Sequence, residues 1–270
     1  MSFFGRRGDR TVARGPSRPR PYHVTVSPLP PLPSGVGVAL VTYLDDGGAV
    51  DVKATAERAG RCVELGASSV LVAGTTGEAP RLSVDDRVEL AAAVRNAAPG
   101  VVLIVGTGHA SAGAALEATA EIASRGDADA FLVYCPVDAT PAAFFRAVRA
   151  EARGRHVLAY HNPALPEARA LGTQELSSLD VDAVKDSSAS TNRLADLLEQ
   201  GVTVYVGSAT QLVVAGPCGA SGALLALANV APTDCVAAWN GDAAAQRRLF
   251  ALHRRAVRDF PYYLKRTAPW

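Results

Sequence analysis

Val181-Asp182-Ala183-Val184-Lys185-Asp186-Ser187 sets apolar residues in a short strand-like run and stands a lysine at its C-terminal end. A lysine is costly to bury unless it is paired or neutralised. Burial disfavours the ammonium form, so a lysine held there has a lowered pKa and a share of free amine near neutral pH. A free amine at a strand end can attack a carbonyl carbon and form an imine. The competing reading pairs Lys185 with Asp186 or lets it reach solvent, since ion pairs perturb lysines that have no catalytic role. The segments on either side decide between the two.

Five apolar, strand-like runs precede this one, at 36–42, 69–73, 101–105, 130–133 and 157–160, and two follow, at 202–206 and 221–227. Helical patterns lie between them. Residues 51–65 carry Val52, Ala56, Ala59 and Val63 on one face with Gly66 just past the end. Ser83 with Asp86 reads as a capping box, further helices start after Ser111 and at Thr140-Pro141, and 173–179 is a short one. From Thr233 onward the pattern is helical. Strands alternating with helices in this way indicate βαβ crossovers and a parallel sheet, and runs apolar on both faces fit a sheet covered by helices. The reading is an α/β fold, a (β/α)₈ TIM barrel with a shortened C-terminal helical extension. An open doubly wound sheet would gather its polar residues at one switch point, whereas here they follow many strands.

The chain of 270 residues, 49% hydrophobic and 20% charged, is long enough to bury one large core. A net charge of +1 weighs against a nucleic-acid partner. Cys62, Cys135, Cys218 and Cys235 are too dispersed for a disulfide framework or a zinc site, which leaves reduced thiols in a cytoplasm and no metal. No apolar run reaches the length of a membrane span. Residues 1–34 differ in kind: Arg6, Arg7, Arg10, Arg14, Arg18 and Arg20 precede Pro28, Pro30, Pro31 and Pro33, a disordered basic arm running into a proline-rich linker and not a secretory signal. The expected division is this arm at 1–34, the barrel at 35–232 and packed C-terminal helices at 233–270.

In a barrel, chemistry collects at the C-terminal ends of the strands. There stand Gly74-Thr75-Thr76-Gly77 after the second strand, Tyr160 on the fifth and Lys185 on the sixth. Two hydroxyls and several backbone N–H groups in a glycine-flanked turn suit a small carboxylate. A phenol held in a hydrogen-bond chain can pass a proton. His161, His109 and Cys135 fall near the same mouth, the histidines read as loop residues and Cys135 as a small buried hydrophobe. Gly207-Ser208 and Gly219-Ala220-Ser221-Gly222 leave a phosphate-binding barrel as a weaker alternative.

Gly74-Thr75-Thr76-Gly77-Glu78, Tyr160-His161-Asn162-Pro163 and Val184-Lys185-Asp186-Ser187-Ser188, in that order, resemble the signature motifs of the dihydrodipicolinate synthase / N-acetylneuraminate lyase family. Gly106-Thr107-Gly108 and Gly222 with Ala228-Asn229-Val230 fit as well. The resemblance implies a class I pyruvate-dependent aldolase or lyase that works through a covalent lysine imine, with no other cofactor. It gives Lys185 as the imine-forming residue, Tyr160 as the acid/base phenol and Thr75 as carboxylate holder and proton relay. Thr76, Gly74 and Gly77 join in holding the carboxylate, and the backbone near Gly207 and Leu224 lines the pocket. The substrates would be pyruvate or a 2-oxo acid and an aldehyde, and the protein a homo-oligomer, dimer or tetramer. A binding-only relative that has lost turnover is the alternative.

Three departures stand out. Where the family carries aromatics after the fourth strand, Pro136 is followed by Val137 and Asp138, so the second phenol of the relay is missing unless Tyr43 or Tyr134 approaches from another strand end. Leu165 replaces an arginine that synthases use for the aldehyde's carboxylate, and Pro163-Ala164-Leu165 is closer to the sialic-acid lyase branch. The C-terminal helical region ends early, at Trp270, which bears on the expected tetramer.

Overall fold

The computed structural model describes residues 29–267. Its strands are β1 (Gly35–Ala39), β2 (Ser69–Val72), β3 (Val102–Gly106), β4 (Ala130–Val133), β5 (His156–His161), β6 (Ala183–Asp186), β7 (Val204–Val206) and β8 (Gly222–Leu225). Between them run α1 (Val52–Glu64), α2 (Val84–Ala97), α3 (Ala112–Arg125), α4 (Pro141–Glu151), α5 (Thr173–Ser177), α6 (Thr191–Glu199) and α7 (Leu212–Ala215). After β8 come α8 (Pro232–Trp239), α9 (Ala243–Arg258) and α10 (Tyr262–Arg266). All strand pairings are parallel and in chain order, and β8 returns to β1, which closes the barrel.

Local sequence explains the helix starts. Asp51, Ser83 and Ser111 each accept a backbone N–H of the first turn, and Ser83 with Asp86 forms the full capping box. Strand alternation then sorts the apolar residues into two cores. Leu71, Ile104, Leu132, Leu158, Tyr205 and Leu224 fill the barrel interior. Val70, Val72, Phe131, Val157, Val184 and Val204 face the helices. Gly222 makes room for the Tyr205 ring: a Cβ there would lie 2.5 Å from Tyr205 Cε1.

Polar side chains stitch the strand ends. Asp129 and Asp182, each one residue before a strand, use Oδ2 to accept the N–H of the preceding strand (Leu103 at 2.8 Å, Val157 at 2.7 Å) and an arginine from the helix before that strand (Arg95 of α2, Arg149 of α4, each at 2.7 Å). Burial raises the Asp182 carboxyl, but the bonds from Arg149 and the Val157 amide outweigh it and hold the group below its ordinary value. At the β1–β8 seam the fully buried Asn229 accepts the Val41 N–H at 3.1 Å and donates to the Ala39 and Ala226 carbonyls at 2.7 and 2.8 Å.

The basic part of the N-terminal arm, with its six arginines, lies outside the described residues. Pro30–Pro33 cross the N-terminal end of the barrel: Leu32 packs on the interior core, and Tyr205 Oη donates to the Pro33 carbonyl at 2.6 Å. At the opposite end, α9 and α10 return toward the mouth, where Lys265 pairs with Glu78 of the loop after β2.

Asn229→Ala removes the partners of two buried backbone groups of the segment that leaves β1. We expect a loss of about 2–4 kcal/mol, each orphaned group costing about 1–3 kcal/mol. Urea unfolding at constant pH reads this as a lower midpoint with an unchanged m-value.

Candidate active site

β5 and β6 pair with Tyr160 opposite Lys185, and the period of two turns both side chains into the barrel. Lys185 is 4% exposed, and its Nζ stands 4.6 Å from the centroid of the Tyr160 ring. Asp186 takes the opposite face, accepting Arg193 Nε at 2.5 Å and the Ser188 N–H at 2.9 Å. No salt bridge to Lys185 occurs among the described residues. The Lys185–Asp186 pairing therefore does not form, because adjacent strand residues cannot share a face.

Burial lowers the Lys185 pKa; the Tyr160 charge opposes that and is too weak to reverse it. At Tyr160, burial raises the phenol, while the Lys185 charge and hydrogen bonds from Thr75, Ser187 and Asn162 overcome this and lower it. The two groups are coupled: the charge on each favours the charged form of the other. Asn162 Nδ2 donates to Tyr160 Oη at 3.0 Å, and Thr75 Oγ1 stands 3.5 Å from the same oxygen. That last contact is long, as catalytic hydrogen bonds often are before substrate binds.

The turn after β2 begins with Ala73 at a φ of 53°, a left-handed conformation that a residue with a side chain seldom adopts. It delivers Thr75 and Thr76 to a cavity of about 490 Å³ at the mouth, which Lys185, Tyr160, Gly207 and Leu224 also line. A volume in the range of roughly 300–1,000 Å³ is ordinary for a small-molecule site. Gly207 is needed for packing: a Cβ there would fall 1.9 Å from Ser187 Oγ. Gly74 borders a smaller adjoining cavity that shares Thr75, Tyr160 and Leu165. Gly77 is not among the residues lining either one. Its carbonyl accepts Thr42 Oγ1 at 2.8 Å, and a Cβ would sit 3.0 Å from the Leu40 carbonyl oxygen, so it packs the turn against β1.

Of the two candidate relay phenols, Tyr43 is out of reach. Its backbone is tied to Thr55 and Asp51 at the start of α1, and its hydroxyl accepts from Arg58, which draws it into the layer between barrel and helices. Tyr134 continues the inward alternation of β4, fits against Gly108 and lines the smaller cavity beside Thr75 and Tyr160. Burial and the Glu167 charge push its phenol up to about 12. His161 is buried on the outward face of β5 and His109 is a surface loop residue, so neither lines the cavity. Burial pushes the Cys135 thiol up to about 11, as expected of an inert small hydrophobe. The run from Gly219 to Gly222 precedes β8, at the end of the barrel away from the cavity, which removes the phosphate-site reading built on it.

Sequence reasoning left Asn162, Ser187 and the α9 side without roles. Asn162 and Ser187 stood in the quoted motifs and could have been found by their proximity to Tyr160 and Lys185. His253, Ala256 and Val257 of α9, with Phe260 just past its end, wall the cavity from far beyond Lys185 in the chain, and only tertiary packing brings them there. Among the described residues no group of three or more His, Cys, Asp or Glu could hold a metal ion, and no helix is long and apolar enough to cross a membrane.

A closed (β/α)₈ barrel with a buried lysine and a phenol at its C-terminal mouth defines a TIM-barrel enzyme of the lyase type. The chain belongs to the dihydrodipicolinate synthetase family, whose family model matches residues 32–265. It is 34% identical over 231 residues to a 4-hydroxy-tetrahydrodipicolinate synthase of Corynebacterium aurimucosum, covering 80% of this chain and 76% of that one. It is 33% identical over 243 residues to the synthase of an Azoarcus species, with 82% of each chain covered. In fold it is similar to a prophage protein of the dihydrodipicolinic acid synthase family from Escherichia coli, solved in complex with pyruvate: TM-score 0.77, 23% identity, 87% of each chain.

The lowered Lys185 pKa fixes a pH profile. A free amine is the form that attacks a carbonyl, so on the imine reading proposed below the rate of borohydride-trapped adduct formation with pyruvate should rise with pH. It should level off below the ordinary lysine value of about 10.4. A rate still climbing through that value would mean an exposed, unperturbed lysine.

Proposed function

We propose that the chain is a Schiff-base aldolase or lyase joining pyruvate, or another 2-oxo acid, to an aldehyde, with the reverse cleavage equally available. The observation that carries this reading is the buried Lys185 amine, without a carboxylate partner, held over the Tyr160 ring in an open cavity. An amine so placed adds to the C2 carbonyl of the 2-oxo acid. Loss of one water leaves an imine, and its electron demand acidifies C3. Tyr160, bonded by Asn162 and near Thr75, has the partners required to take up and return protons. Removal of the C3 proton gives an enamine, whose C3 attacks the aldehyde carbon while the aldehyde oxygen gains a proton. Water then releases a 4-hydroxy-2-oxo acid and restores Lys185.

The Thr75-Thr76 turn is the proposed seat of the 2-oxo acid carboxylate, with hydroxyls and backbone N–H groups as donors. Tyr134 is the proposed second phenol, replacing the missing aromatic after Pro136. A reduced cytoplasm suits the four free thiols. A homo-oligomer suits the exposed Phe250 and Tyr262 on the C-terminal segment, apolar side chains that a monomer leaves in water. No observation favours the binding-only alternative, since Lys185, Tyr160 and Thr75 are all retained and brought together.

Lys185→Ala should form no trapped adduct and lose turnover while its thermal unfolding stays cooperative. Tyr160→Phe should still give the adduct by intact-mass measurement yet lower kcat by about 10²–10⁴-fold, the usual contribution of a positioned acid/base. An active Lys185→Ala protein would remove the lysine from the mechanism, and an unimpaired Tyr160→Phe would assign the proton to another group.

A further inference from the structure

We infer that the second substrate, the acceptor aldehyde, is uncharged and largely apolar, and that a carboxylate-bearing aldehyde is excluded. This rests on the imine reading above and names the substrate class that the remaining space admits. Lys185 is the one lysine among the described residues lining the two cavities, and no arginine lines either. The imine consumes that lysine, and the 2-oxo acid carboxylate takes the Thr75-Thr76 donors. What remains for the acceptor is chiefly Leu165, Leu227, Ala256, Val257 and Phe260, with Ser208 as a neutral hydroxyl. His253 completes that wall, and burial lowers its pKa, so it is neutral near pH 7.

Of the cations on neighbouring elements, Arg254, Arg255 and Arg258 of α9 are exposed and line neither cavity, and others are engaged. Arg193 pairs with Asp186, and Lys265 pairs with Glu78. Arg87, buried behind the smaller cavity, gives its Nη groups to the carbonyls of Gly106, Ala79 and Leu82. Glu167 lines that same cavity beside Leu165 and would repel a second anion. A carboxylate placed against this wall would give up part of its hydration and gain no charged partner, which is unfavourable. An alkyl chain of the same shape gains by leaving water. Leu165, common to both cavities, is the residue whose side chain sets this preference.

The test uses the intact protein with pyruvate and two acceptors of matched shape, 4-methylpentanal and succinic semialdehyde. Borohydride trapping with pyruvate alone is run first and reports the imine independently of any aldehyde. With the adduct present, kcat/KM for 4-methylpentanal should exceed that for succinic semialdehyde by about 100-fold or more. Leu165→Arg supplies a guanidinium for bidentate pairing and should narrow the ratio at least about tenfold. An adduct accompanied by a preference for succinic semialdehyde, by equal use of the two, or by use of neither overturns the acceptor assignment alone. Absence of the adduct in the folded protein overturns the imine reading, and this inference with it.

Discussion

The constraint on which the site depends is a lysine buried inside the barrel with no acid beside it. Strand periodicity sends Asp186 outward to Arg193 and Lys185 inward onto Tyr160. An ammonium in that position has lost water and found only an aromatic face and a phenol in return. Burial therefore shifts the balance toward the free amine, the form that can attack a carbonyl. Had the neighbouring acid shared the lysine's face, the pair would have been a structural salt bridge with little chemistry.

Holding a group in so unfavourable a position requires a frame that does not yield. Below Lys185 the interior is filled by Leu71, Ile104, Leu132, Leu158 and Tyr205, and the Leu32–Pro33 segment closes the far end. Asp129, Asp182 and Asn229 satisfy backbone groups where the parallel ladder would leave them open. The polar stitches and apolar layers act together: the layers exclude water, and the stitches keep neighbouring strands from slipping out of register. The left-handed Ala73 is tolerated because the packed turns around it, including Gly106, leave it no alternative: a Cβ on Gly106 would lie 2.1 Å from the Ala73 carbonyl oxygen.

The mouth is a division of labour between strand ends and a returning helix. Strand ends bring the groups proposed to react or to hold the carboxylate: Thr75, Thr76, Tyr160 and Lys185. The α9 side brings Ala256, Val257 and Phe260, which shape the outer space and carry no formal charge. Specificity in such a site comes from what the outer wall lacks as much as from what it presents, because an unpaired charge taken out of water is penalised more heavily than a missing methyl group.

Much of this was legible in the sequence for a physical reason: the signals were local. Apolar runs of strand length, Ser and Asp caps and the alternation of strands with helices are short-range, and they mark the eight strands to within about two residues at most ends. Lys185, Tyr160, Thr75 and Thr76 were legible because a barrel gathers strand ends whatever their separation in the chain. The remainder was decided by packing across the fold. Tyr43 and Tyr134 look alike in the sequence, yet one is drawn to Arg58 outside the barrel and the other turns inward against Gly108. Gly77 belongs to a motif that suggests binding, but its neighbours in space make it a packing position. The α9 wall depends on where a helix comes to rest after the barrel has closed, and that is set by long-range contacts with no periodicity to betray them.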